Sequence, residues 1–206
     1  MTTNLSRVTL LLATRNPHKT LEFAQLVGRD FCVRDLRLHP DIPEIVESGT
    51  TFEENAVLKA VTISKIFPNE IVVADDSGLE VEALGGAPGI FSARYAGENA
   101  SDRRNVEKLL RELQDARDRS ARFNCVVALA RNGQLMTTVA GEVLGAIAEC
   151  ARGENGFGYD PIFVANGFSE TFGELTAETK NKISHRAQAA AALVRYFNTA
   201  RQSGGM

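Results

Sequence analysis

The sequence predicts an α/β fold in which helices flank a mixed β-sheet. Short apolar strands alternate with amphipathic helices in the first half, and a hairpin signature follows in the second. The composition agrees: 206 residues, 44% hydrophobic and 24% charged, suit a globular chain able to bury a substantial core. That length fits one large domain, or one domain split into two lobes, over residues 1–200. Residues 201–206, which include Ser203-Gly204-Gly205, read as a flexible tail.

Val8 to Ala13 reads as a short buried strand, and Pro17 opens a helix to about Val27. Phe31 to Leu36 is a second strand. Thr51 and Glu54 form a capping box for a helix to about Ile66, with Ala56, Ala60, Ile63 and Phe67 on one face. A strand over Ile71 to Ala74 ends in Asp75-Asp76. Ser101 caps a helix to about Asp115 that buries Val106, Leu109, Leu110 and Leu113. Phe123 to Ala130 and Leu135 to Val143, joined by Arg131-Asn132-Gly133, form a hairpin that Gly145 to Cys150 extends. Ser184 caps a last helix with Ala187, Ala190, Ala191, Val194 and Phe197 on its apolar side.

A net charge of −3 argues against a general nucleic-acid-binding surface. No apolar run reaches the length of a membrane span, and no basic N-terminal region precedes an apolar core. Cys32, Cys125 and Cys150 are odd in number and widely spaced. Cys32 and Cys125 lie in apolar runs, so buried reduced thiols in a cytoplasmic protein are expected, with no zinc spacing.

The most informative stretch is Val72-Val73-Ala74-Asp75-Asp76-Ser77-Gly78-Leu79. Ligands in α/β proteins bind outside the carboxyl ends of strands, and adjacent acids there hold a hard cation or share a proton. In isolation the same residues are more often an Asx turn closing a strand. Four other segments add anion-binding or ligand-framing chemistry. Thr14, Arg15, Asn16, Pro17, His18 and Lys19 surround a helix N-terminus, where amides and an ammonium attract phosphate, although Thr and Asn also serve as plain caps. Asn55 and Lys59 share one helix face, and Lys59 sits among apolar neighbours, aimed at phosphate or snorkelling to water. Glu44 and Glu47 precede that helix, and either adds a carboxylate. Gly156 and Gly158 let Phe157 project from a loop and stack on a base, or plug the loop from below. After Ser184, His185 and Arg186 place two donors where acids are normally preferred, which suggests that a ligand supplies the negative partner. Gly85, Gly86 and Gly89, around Pro88, read as scaffold.

Taken in order, T-x-N-x-x-K, E-x-G-x-T-F-x-E-N, A-D-D-S-G-L, L-G-G-x-P-G, G-F-G-Y-D-P and S-H-R resemble the inosine triphosphate pyrophosphatase, or Ham1, family from about Leu11 to Phe197. The resemblance implies an elongated sheet with two lobes around a central substrate cleft, a homodimer, Mg²⁺, and hydrolysis of inosine and xanthosine triphosphates to monophosphate and pyrophosphate. It implies that Thr14, Asn16 and Lys19, with the intervening backbone, hold the triphosphate, and that Lys59 reaches it. Asp76 would be metal ligand and proton acceptor, supported by Asp75, and Glu47 fits the other metal carboxylate better than Glu44. Ser77 would touch substrate. Phe157, Gly158, Tyr159 and Asp160 would frame base and sugar, with Lys180, His185 and Arg186 closing over them. Two other readings are a metal-dependent phosphatase releasing orthophosphate and a nucleotide sensor without catalysis. The D-x-D spacing of aspartyl phosphatases is missing, and an intact Asp76, Lys19 and Lys59 weigh against the sensor.

Overall fold

The computed structural model describes residues 7–202, so the tail expected at Ser203 to Gly205 lies outside them. Six strands form one sheet: β1 (Val8–Leu12), β2 (Phe31–Asp35), β3 (Ile71–Val81), β4 (Ser120–Arg131), β5 (Gln134–Ile147) and β6 (Phe163–Ala165). Their order is β2-β1-β3-β4-β5-β6. β1 runs parallel to β2 and β3, whereas β5 and β6 are antiparallel, which makes the sheet mixed as expected. Among the described residues, no helix is long and apolar enough to cross a membrane.

The helices are α1 (Pro17–Val27), α2 (Phe52–Ile66), α3 (Asp102–Glu112), α4 (Ala177–Ile183) and α5 (His185–Gln202). Local chemistry sets their starts. Asn16 Oδ1 accepts from the amides of His18 and Lys19, and Pro17 occupies a first-turn site whose missing N–H costs nothing. Thr51 and Ser101 cap α2 and α3 through the amides of Glu54 and Arg104. In the reciprocal half of the capping box, the Glu54 carboxylate accepts from the amide and hydroxyl of Thr50, one residue before the cap. Asn132 and Gly133, with φ of 51° and 74°, close the β4–β5 hairpin in a two-residue turn whose geometry requires positive φ at both positions.

The chain packs as two compact units. One comprises the residues up to Asp76, Val126–Ala140 and the chain from Ala189; the other comprises Ser77–Cys125 and Gly141–Gln188. In the first, Ala56, Ala60, Ala74, Ala128 and Ala130 form an all-alanine seam, while Leu11, Leu36, Ile63 and Val72 form a second cluster. The small side chains of the seam let backbone approach backbone. In the second unit, Phe123, Phe163 and Phe172 pack with Leu79, Leu109 and Ile162 around a larger aromatic core.

Several expectations need correction. β3 does not stop at the aspartates but continues for five residues to Val81, buried along nearly its whole length. The strand that ends there is β1, with Leu12 opposite Val73, so Asp75 and Asp76 lie beyond its carboxyl end on an uninterrupted neighbour. Cys32 is exposed because it points outward from β2, while Cys125 is buried as expected. The buried stripe of α5 runs through Ala189, Ala190, Leu193 and Phe197, and Ala191 is exposed, a rotation of the predicted face. α4 was not anticipated, because its seven residues carry too few apolar side chains to mark a period.

Candidate functional site

The first chemical cluster is built at the carboxyl end of β1. Lys59 projects from α2, and its Nζ lies 2.7 Å from Glu47 Oε1 and 3.1 Å from Asp76 Oδ1. Asn55, one turn earlier, donates to Asp76 Oδ2 at 3.3 Å, so the predicted shared helix face converges on one carboxylate. Asn55 Oδ1 in turn accepts from the Gly49 amide. A Cβ at Gly49 would lie 2.7 Å from that oxygen, which explains the glycine of E-x-G-x-T-F. Lys19, in the first turn of α1, pairs with Asp75 at 3.1 Å.

Three carboxylates (Glu47, Asp75 and Asp76) thus meet two ammonium groups, those of Lys19 and Lys59. Burial raises the Asp76 carboxyl above its ordinary range, and Glu47 adds to the effect; Lys59 and Lys19 oppose it without cancelling it. Burial would lower Lys59, but Asp76, Asp75 and Glu47 together hold it above its ordinary value, so the ammonium stays charged. Lys59 is only 9% exposed, which decides against the snorkelling alternative. A cavity of about 270 Å³ opens beside these groups, lined by Thr14, Lys19, Glu44, Glu47, Lys59 and Asp75. Glu44 therefore faces the same space as Glu47, but the ion pair with Lys59 belongs to Glu47.

Other residues of the α1 loop have structural duties. Thr14 Oγ1 accepts from the Asn16 amide, and the Asn16 side chain caps the helix through the His18 and Lys19 amides. Arg15 donates to the carbonyls of His39 and Ile42, tying down the segment that leads to Glu44 and Glu47. Pro17 is the first residue of α1. Lys19 is the residue of this loop that brings an ammonium to the acidic cluster.

A second cluster lies in the other unit. The loop over residues 153–158 carries Gly153, Gly156 and Gly158 at φ of 78°, 78° and 61°. Asp160 Oδ2 accepts from the Phe157 amide at 2.8 Å and pairs with Lys180 Nζ at 2.7 Å, with both side chains buried. The Gly158 amide donates to Asp102 Oδ2 at 2.7 Å. Two cations approach the Phe157 ring: Lys180 Nζ at 5.2 Å and the Arg186 guanidinium at 5.3 Å from its centroid. Arg186 Nη2 donates to Ser77 Oγ at 3.0 Å, so the residue after Asp76 is held by the residue after His185.

His185 and Arg186 are 4% and 2% exposed, respectively. The His185 ring stacks on Phe123 at 4.6 Å, and Arg186 meets Ser77, so both break the first-turn preference for acids through tertiary contacts. Tyr159 is buried with its hydroxyl donating to the Ser92 carbonyl, and burial raises its phenol far above the ordinary range. Its ring therefore supports the loop from inside. Among the predicted residues, Lys180 and Asp160 form one buried pair, while Ser77 and Arg186 form another contact in the same unit. Asn55 and Asp102 belong to these clusters and were not among the predicted site residues. Asn55 was legible through its four-residue spacing from Lys59, whereas Asp102, in the first turn of α3, carries no signal that sets it apart from other acids at helix starts.

A profile of the Ham1 family matches residues 10–196. The dITP/XTP pyrophosphatase of Bacillus licheniformis is 52% identical over 183 residues, covering 87% of this chain and 93% of its own. The protein of the same name from Bacillus subtilis is 49% identical, covering 87% and 91%. Among solved structures, the Staphylococcus aureus Ham1 protein superposes with a TM-score of 0.83 at 42% identity, over 93% of this chain and 98% of its own. The nucleoside-triphosphatase, or dITP/XTP pyrophosphatase, of Mycobacterium abscessus gives 0.73 at 40% identity, over 90% and 98%.

Proposed function

Because this chain belongs to the Ham1 family, we propose that it hydrolyses inosine, deoxyinosine and xanthosine triphosphates at the bond between the α- and β-phosphates. A nucleoside monophosphate and pyrophosphate are the products. The observation that carries the reading is Asp76: a buried carboxylate with a raised pKa, beside two lysines and a second carboxylate.

The donor set suits magnesium. Glu47 Oε1 and Asp76 Oδ1 both reach the Lys59 Nζ, so two hard oxygens converge on one small region. Among the described residues no group of three His, Cys, Asp or Glu forms a complete metal cage. Magnesium commonly takes one or two carboxylates and completes its shell with water and substrate phosphates. When bound, Mg²⁺ supplies neutralisation of the phosphate charge and polarisation of the phosphorus–oxygen bonds.

The chain's own residues do the rest. Lys19 and Lys59 offset a triphosphate bearing about four negative charges, which lets a nucleophile approach. Asp76 accepts a proton from water as the water oxygen attacks the α-phosphorus; the α–β bridging bond breaks, and pyrophosphate departs with the bond's electron pair. Phe157 stacks on the purine, and Arg186 donates to the 6-keto oxygen that hypoxanthine and xanthine carry. Adenine presents an amino donor there, leaving the guanidinium without its partner. Ser77, Gly158, Asp160, Lys180 and His185 shape the base and sugar region. The protein acts in the cytoplasm as a homodimer, a state that light scattering tests directly.

Phosphate analysis with inosine triphosphate and Mg²⁺ tests the chemistry. Equimolar pyrophosphate and inosine monophosphate support it; orthophosphate from the γ-position, or no turnover, overturns it.

A further inference from the structure

Building on the reading of Phe157 as the base-stacking residue, we infer that Asp102 is a positioning residue whose carboxylate fixes the Phe157 loop by accepting from the Gly158 amide. An acid in the first turn of a helix ordinarily faces that helix's own free amides. The Asp102 carboxylate, in the first residue of α3, instead reaches Gly158, 56 positions later in the chain, at 2.7 Å. The cap of α3 is supplied separately by Ser101.

The loop gives this bond its importance. Residues 153–158 lie outside any helix or strand, and their glycines at positive φ impose few conformational limits of their own. Its shape must come from hydrogen bonds. Asp160 takes the Phe157 amide from inside, locked in place by Lys180, and Asp102 takes the next amide from the exposed side. Two carboxylates from separate elements therefore hold consecutive amides and fix the peptide plane that orients the Phe157 ring. Charge-assisted bonds of this kind are stronger than neutral ones. Asp102 touches the Gly158 backbone, not the base, so its loss leaves the hydrolytic groups in place and frees the stacking surface to wander.

The test compares Asp102→Ala, Asp102→Asn and Ser101→Ala. With inosine triphosphate, Asp102→Ala should raise KM about tenfold with kcat within about twofold of the parent, the split expected when binding is lost and chemistry is spared. Hydrogen exchange at the Gly158 amide should accelerate in the same variant. Asp102→Asn keeps an acceptor oxygen and should recover most of the KM. Ser101→Ala weakens the start of α3 without touching Gly158 and should leave both readouts near the parent values. The positioning role is overturned if Asp102→Ala changes neither KM nor Gly158 exchange, if it changes only one of them, or if Ser101→Ala reproduces its effects. A separate Phe157→Ala variant keeps the two readings distinct. Should it leave KM unchanged while Asp102→Ala raises KM and speeds exchange, base stacking by Phe157 fails and the positioning role of Asp102 stands.

Discussion

Replacing Lys59 with methionine removes one charge while keeping the length and apolar stem of the side chain. In the parent, that charge answers Glu47 at 2.7 Å and Asp76 at 3.1 Å. Breaking a buried ion pair by deleting one partner costs about 3–5 kcal/mol, because the other charge is left in a poor solvent. Here Glu47 can turn toward water, and Asp76 keeps Asn55 as a donor, which favours the lower end. Lys59→Met should therefore lose about 3 kcal/mol of stability at pH 8 without metal, a Tm drop of about 6–12 °C for a chain of this size. The loss should shrink at pH 5. Asp76 has a raised folded-state pKa even beside Lys59, so its contribution to stability is present below the unfolded pKa and lost as pH rises through the folded one. Without Lys59 that folded pKa climbs further, and the protonated, cheaply buried carboxyl persists to higher pH. Lys59, raised above its own ordinary value, loses its contribution only at strongly alkaline pH, outside this window. Urea unfolding of both proteins in chelator at pH 5 and pH 8 measures the difference of differences. An equal deficit at the two pH values, or one below about 1 kcal/mol at pH 8, would refute the electrostatic account of this cluster.

Four further variants concern turnover. Asp76→Asn should keep the fold and lower kcat by about a thousandfold, since the amide can neither accept the proton nor hold metal as a carboxylate does; more than a tenth of parental pyrophosphate release at saturating Mg²⁺ would remove Asp76 from that role. Lys19→Ala should lower kcat/KM about 10–100-fold by an equal factor for inosine and adenosine triphosphates, because its ammonium pairs with Asp75 and is the group proposed to meet phosphate; a change in the ratio between the two nucleotides would place this loop at the base. Arg186→Ala should bring the kcat/KM values for those nucleotides closer together, whereas Phe157→Ala should lower both alike, by about 5–150-fold. Equal losses in Arg186→Ala would make the guanidinium a bolt on Ser77 rather than a reader of the keto group.

How much of this was legible in the sequence depended on the range of the interactions. The capped starts of α1, α2 and α3 and the Asn132-Gly133 turn are decided within four residues, and each lies where it was expected. Asn55 and Lys59 were placed on one face by helical geometry alone, and both reach Asp76. Strand length was not legible in the same way. Asp75 and Asp76 look like a strand end because polar residues seldom interrupt a central strand, yet β3, which lies between β1 and β4, runs through them to Val81. Cys32 misled for a similar reason: an apolar neighbourhood in sequence does not say which side of an outer strand a side chain faces. α4 hid because its Thr176 cap and buried Lys180–Asp160 pair leave no hydrophobic period. Asp102 could not be singled out, because its partner is a backbone amide 56 residues away and a backbone amide has no sequence signature.

The close approach at Gly156 bears on what motif matching can mean. A methyl group there would lie 2.0 Å from Asp160 Oδ2, and the backbone is held at a φ that side chains with a Cβ rarely adopt. The aspartate is itself pinned by Lys180, and the tyrosine between them is anchored to Ser92. Three of the six letters of G-F-G-Y-D-P, Gly156, Tyr159 and Asp160, are thus dictated by how the loop is assembled. A descendant that had abandoned its substrate would remain under steric pressure to keep spelling the same string. Finding those letters in a genome attests that a loop closes; the right to infer a reaction comes from Asp76 and its lysines, which sit elsewhere in the text.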